Sequence, residues 1–305
     1  MNMKKTSVVI SSALLIGLLA GCGDNNSNSA SNNAAPSASA DASQNAANSS
    51  NASASVDQGQ YKDGTYYAIG EPDTETGWQY YVLLNVSGGK ITDVNWNGIN
   101  KDIGPDKVTY SKEGKYGMKA GGASSEWHEQ AEKADQFLIE KQDPKAITVK
   151  DDGTTDAISG VSIHVGDLVN LAEKALSAGP IQMGPYKDGT YHAEGDSFDP
   201  ETGWKETTDL VIAGGNIIHA NFSGVNEKGE DKKAYSIAGK YGMKAGGAAA
   251  EWHEEAEKAE AFLVEKQDPA AVTFKDDGTT DAISGASIHL KDYFDMAAKL
   301  LEQAK

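Results

Sequence analysis

From Tyr61 onward, the alternation of apolar and polar positions changes period several times, and each change marks an element. Residues 79–86 are rich in aromatic and β-branched side chains. Gly88-Gly89 turns them into a second such run at 90–96, so the pattern predicts a β-hairpin, repeated later around Gly214-Gly215. Trp127, Ala131, Ala134 and Leu138 then follow helical spacing, which predicts a helix over residues 123–142 ended by Pro144. The apolar residues 146–149 read as a short strand. Asp167 reads as the N-cap of a final helix carrying Leu168, Leu171, Ala172 and Ala175. Strands followed by two main helices make an α+β fold, with a mostly antiparallel or mixed sheet and helices laid on it.

That whole pattern is written twice. The hexapeptide YKDGTY at Tyr61 returns 125 positions later at Tyr186. KYGMKAGGA at 115–123 returns unchanged at 240–248, and KDDGTTDAISG at 150–160 returns at 275–285. A period of this size is a duplicated domain, since solenoid units are far shorter. The expected domains are 58–180 and 181–305, joined through Ala178-Gly179-Pro180.

Ahead of the repeats, Lys4 and Lys5 precede an apolar run at 8–19 that is too short to span a bilayer, so residues 1–21 read as a signal peptide. The run ends in Leu19-Ala20-Gly21-Cys22, which resembles a bacterial lipobox. That resemblance implies cleavage before Cys22 and acylation of its sulfur. The chain would then be held to the lipid bilayer at the extracellular face of the cell membrane. Residues 22–57 are almost wholly Asn, Ser, Ala and Asp, a composition with no apolar surface to offset ordering entropy. They read as a disordered tether with a reach of roughly 30–35 Å.

Charge and cysteine count remove several function classes. The 305 residues carry 45 acidic and 27 basic side chains, a net charge of −18, and every basic one is lysine. Nucleic-acid binding needs clustered cations and is favoured by arginine, so it is not expected. Cys22 is the only cysteine, which excludes a disulfide framework, a thiolate zinc site and a cysteine-held iron–sulfur cluster.

The repeated segment from Asp156 to Ser162, and its partner from Asp281 to Ser287, is the strongest internal signal. Its small residues place a hydroxyl just ahead of a helix, where exposed N–H groups favour an anion. Gly160 and Gly285 let the backbone approach a bulky group. A plain polar turn capping a helix would have a similar composition. The pattern D-x-x-S-G-x-S resembles the attachment motif of FMN-binding domains, as found in Na⁺-translocating NADH:quinone reductases and in Rnf complexes. KYGMKAGGA and the Glu-Trp-His-Glu segments resemble that family too, and the likeness covers everything from Tyr61 onward.

The resemblance implies two FMN groups held as phosphoesters on Ser162 and Ser287. Asp156, Ser159, Gly160, Asp281, Ser284 and Gly285 complete the attachment motif, and an ApbE-type flavin transferase installs the groups. It further implies an electron carrier rather than a stand-alone enzyme. Electrons would arrive from a membrane NADH dehydrogenase and quinone pool and leave toward soluble flavins or ferric iron. The family's usual acceptor is Thr, and Val161 stands where the family usually has Ala, which makes the second copy the readier site. Trp127, His128, Trp252 and His253 are expected to border the flavin. On plainer grounds His128 pairs with Glu132 and His253 with Glu257, while Tyr116 and Tyr241 read as core.

Other chemistry is weaker. Ser162 and His164, like Ser287 and His289, point the same way if extended and could touch as nucleophile and base, yet no G-x-S-x-G elbow accompanies them. An EF-hand counted from Asp151 puts Gly153 and Ser162 where oxygen ligands and a Glu belong, so a calcium loop is rejected. The alternative to the flavin carrier is a cofactor-free surface lipoprotein whose repeats bind a ligand or a cell-wall component.

Overall fold

Gly64–Ile69 (β1), Trp78–Ser87 (β2) and Lys90–Asn100 (β3) form an antiparallel sheet in chain order. The computed structural model describes residues 60–305, so the signal peptide, Cys22 and the tether lie outside the described residues. After β3 come a short helix, Lys107–Lys112 (α1), and two longer ones, Trp127–Lys141 (α2) and Gly166–Ala178 (α3). The second copy repeats the series: Gly189–Glu194 (β4), Trp204–Ala213 (β5), Asn216–Asn226 (β6), Lys232–Ile237 (α4), Trp252–Lys266 (α5) and Lys291–Gln303 (α6). The chain is therefore α+β, with two tandem units, each an antiparallel three-stranded sheet followed by helices.

In the first unit Val82, Leu84 and Trp96 face Ala131, Ala134 and Leu138 of α2 and Leu168 and Ala172 of α3 in one core. The second unit builds its own core around Leu210, Phe222, Leu263 and Phe294. The other faces of the two sheets also meet, burying Tyr81 and Ile99 against Val211 and Ala213. Coverage on both faces explains why β2 and β5 contain unbroken apolar runs (Val82-Leu83-Leu84, Leu210-Val211-Ile212) instead of strict alternation. Polar ties join the units as well: Lys233 Nζ donates to the Lys101 carbonyl at 2.7 Å, and His219 Nε2 lies 3.1 Å from the Ile103 carbonyl.

Three local expectations need correction. The first long helix starts at Trp127, not at 123, because Gly121-Gly122 belongs to the preceding turn. The Glu126 carboxylate accepts from Met118 N and Lys119 N at 3.0 and 3.1 Å, while Glu129 accepts from Glu126 N at 2.7 Å. These bonds fix the helix start inside the limit that the apolar pattern suggests. Residues 146–149 are not a strand. Pro144–Ala146 forms a 3₁₀ turn, and the following backbone bonds its own loop, with Thr155 Oγ1 donating to Thr148 O at 2.7 Å. Asp167 is not the N-cap; Val165 is, and Asp167 lies in the first turn, where its charge suits the helix dipole.

Gln142, which ends α2, was not legible as a structural device. It adopts φ 63°, and its side chain reaches back to β3. There Oε1 accepts from Ile91 N at 2.7 Å, and Nε2 donates to Ile91 O at 2.8 Å. Gln267 does the same for Ile217 at 2.7 and 2.8 Å. No helix among the described residues is long and apolar enough to cross a membrane.

Candidate functional site

The motif loop is held by its own hydroxyls. Asp152 Oδ1 accepts from Thr154 N and Oγ1 at 2.9 and 2.6 Å, and Ala157 N donates to Thr155 Oγ1 at 3.1 Å. So folded, the loop turns Ile158, Val161 and Ile163 into the core and leaves Ser159, Gly160 and Ser162 exposed. Val161 is therefore a core residue, turned away from the exposed Ser162. Gly160 and Gly285 have φ of 74° and 72°, where a side chain would be strained. Their carbonyls receive Lys133 Nζ at 3.5 Å and Lys258 Nζ at 2.7 Å. Asp156 and Asp281 pair with exposed Lys150 and Lys275 at 3.0 and 2.6 Å, so they brace the loop rather than touch the serines. Ser284 is exposed like Ser159.

The two serines meet different partners from the first turn of the preceding long helix. In the first unit, buried Gln130 accepts through Oε1 from Ser162 N at 2.7 Å and from Ser162 Oγ at 3.2 Å. In the second, buried Glu255 takes that place. Its carboxylate accepts from Ser287 Oγ at 3.0 Å, from Ile288 N at 3.1 Å and from Ser287 N. Glu255 can thus receive the Ser287 hydroxyl proton, and Gln130 cannot do so for Ser162. The serine–histidine pairing does not form in the second unit: His289 Nδ1 lies 2.9 Å from Asp277 O, and its Nε2 is 3.2 Å from Asp292.

The helix histidines also have other partners than expected. His128 Nδ1 lies 2.9 Å from Ser111 Oγ, and His253 Nδ1 lies 2.9 Å from Ser236 Oγ. The short helices α1 and α4 supply those hydroxyls in place of Glu132 and Glu257. The histidines therefore lock α1 to α2 and α4 to α5, while the tryptophans beside them face the site.

A cavity of about 770 Å³ is lined by Ile288 and His289, which follow Ser287 in the chain, by the rings of Trp204, Tyr241 and Trp252, and by Lys232 and Lys299. Tyr241, expected in the core, is half-buried and lines this space beside Trp252, at 6.3 Å between ring centroids. Lys232 Nζ is 4.6 Å from the Trp252 ring centroid and donates to Glu206 Oε1 at 2.8 Å. Burial lowers the Lys232 ammonium's pKa against the opposing pull of Glu206, and burial raises the Glu206 carboxyl against the pull of Lys232. Tyr293 OH also donates to Glu206.

The first unit places Lys107 at the equivalent point. Its Nζ sits 4.6 Å from the centroids of Trp78, Tyr80 and Tyr116 and 5.1 Å from Trp127, and it donates to Tyr80 OH at 2.6 Å. Burial pushes this ammonium down to about 7, opposed by the charges of Asp167 and Asp73. Neither lysine was found from the sequence, because a six-residue helix shows no periodic face. The recurrence of Asp106-Lys107 as Asp231-Lys232 is the signal that could have found them. The aromatic walls can flank a flat ring, and seven carboxylates among the lining residues make the space strongly acidic.

No known family model matches the chain, and no curated protein matches it. Two solved structures are similar. One is a solution NMR structure from Clostridium thermocellum, 51% identical, covering 38% of this chain and 91% of its own, with a TM-score of 0.32. The other is the crystal structure of the CPE2226 protein from Clostridium perfringens, 26% identical, covering 39% of this chain and 88% of its own, with a TM-score of 0.31.

Proposed function

We propose that the chain is a membrane-anchored extracellular electron carrier bearing two covalent FMN groups, one on Ser162 and one on Ser287. The observation that carries this reading is the second unit's geometry. An exposed serine hydroxyl lies within 3.0 Å of a buried carboxylate, and the two residues that follow it, Ile288 and His289, line an aromatic-walled cavity of about 770 Å³. When bound, FMN supplies one- and two-electron chemistry.

The chain's own residues do the rest. Ser162 and Ser287 Oγ hold the phosphate by an ester bond, which prevents loss of the group by dilution outside the cell. Glu255 would accept the Ser287 hydroxyl proton as the Oγ–phosphorus bond forms and the pyrophosphate bond of the donor FAD breaks, releasing AMP. Trp204, Tyr241 and Trp252 would keep water from the ring in the second unit. An acylated Cys22 and the tether at 22–57 confine the carrier near its electron source and raise its effective concentration there. The proposed partners are an ApbE-type flavin transferase, a membrane NADH dehydrogenase with its quinone pool, and soluble flavins or ferric iron as acceptors.

Coexpression with a flavin transferase tests the reading. Denatured protein that stays yellow and gains the mass of two FMN groups supports it. A colourless product of unmodified mass favours a cofactor-free binding lipoprotein instead.

A further inference from the structure

The second lysine site is the more acidic of the two. Counterpart residues match around most of each site: Asp73 and Asp167 in the first unit correspond to Asp199 and Asp292 in the second, and His164 corresponds to His289. These charges therefore weigh similarly on both lysines. Tyr80 in the first unit, however, corresponds to Glu206 in the second. Lys107 consequently meets a neutral phenol at 2.6 Å, whereas Lys232 meets a carboxylate at 2.8 Å. The second difference has the same sign, since Gln130 beside Ser162 becomes Glu255 beside Ser287.

A flavin that takes up two electrons and one proton carries one more negative charge than before. An ammonium without a counter-ion lowers the free energy of that charge, and a neutralised ammonium–carboxylate pair does so far less. Resting on the flavin reading above, we infer that the two flavins are unequal. The one on Ser162, beside Lys107, whose ammonium no carboxylate contacts, has a higher midpoint potential than the one on Ser287, beside the Lys232–Glu206 pair. Electrons delivered to the chain then settle first in the first unit.

The test uses full-length protein coexpressed with its flavin transferase, in Ser287→Ala and Ser162→Ala forms that each carry one flavin, with loading measured by mass. Potentiometric titration with dithionite reads each site separately. The expected result is a reduced-to-oxidised ratio at least tenfold larger for the Ser162 flavin at a common potential, about 30 mV for a two-electron couple. Glu206→Gln, nearly isosteric, raises the Ser287 flavin's potential toward that of its neighbour, and Tyr80→Glu lowers the Ser162 flavin's. Loaded proteins with equal or reversed potentials overturn the inequality while leaving flavin attachment intact. Protein that carries no flavin in either form overturns attachment and the inequality together.

Discussion

Replacing Lys233 with Met isolates the contact on which the second unit's core and its junction with the first both depend. The ammonium is fully buried and donates to Glu260 Oε1 and Oε2 at 2.8 and 2.9 Å, to Asn221 Oδ1 at 2.9 Å and to Lys101 O at 2.7 Å. Methionine fills similar volume but leaves Glu260 with only the Phe222 N–H, at 2.8 Å, as a hydrogen-bond donor. Breaking a buried pair from one side costs about 3–5 kcal/mol. For a unit of this size that corresponds to a fall in Tm of roughly 10 °C.

The deficit must depend on pH. Burial raises the Glu260 carboxyl from 4.5 to about 7 even with Lys233 beside it. The folded state thus holds this proton more tightly than the unfolded state, and the group's contribution to stability falls as pH rises from about 4.5 to about 7. Without Lys233 the folded pKa climbs further, so the variant's deficit widens above about pH 7, by up to about 1.4 kcal/mol per unit. Urea unfolding followed by tryptophan fluorescence at pH 5.5, 7 and 8.5 measures both quantities. A deficit below about 1 kcal/mol that does not change with pH would refute the reasoning.

Other outcomes follow from the same geometry. Glu255→Gln keeps an acceptor for Ser287 N but removes the group that takes the hydroxyl proton. Losing a charge-assisted bond worth about 1.5–3 kcal/mol slows flavin attachment at Ser287 on the order of tenfold, read by time-resolved mass spectrometry. Gln130→Glu should speed attachment at Ser162, and unchanged rates in both variants count against the proton-acceptor role. Gln142→Ala leaves the Ile91 N–H and carbonyl without their partner, at a cost of about 1–3 kcal/mol seen in urea midpoints. A neutral result there means solvent reaches both groups.

The hairpin at Gly88-Gly89, the two long helices and the duplication were legible because each rests on a local regularity: period two, period 3.6 or literal repetition. What escaped depends on neighbours distant in sequence. The helix start at Trp127 is set by Glu126 reaching back to Met118 and Lys119, and its end by Gln142 bonding a strand some fifty residues earlier. Apolar periodicity records neither. Ser162 and Ser287 were visible as part of a repeated motif, but their partners Gln130 and Glu255 looked like ordinary polar positions on a helix. Lys107 and Lys232 were hidden more deeply still, since lysine on a short helix normally points to water. Only the convergence of β2 with α1 and α2, and of α4 with α5 and α6, wraps each in aromatic rings. His128 and His253 were read as pairing within their own helix, whereas the hydroxyls of Ser111 and Ser236 on the neighbouring short helices take that place.

Peptide mass mapping of protein isolated from cells that express the flavin transferase tests covalent flavin attachment most directly. The expected pattern is one FMN phosphoester on the peptide containing Ser162 and one on that containing Ser287, each lost singly in Ser162→Ala and Ser287→Ala. Bare serines at both positions, or FMN retained in full after both substitutions, would contradict it.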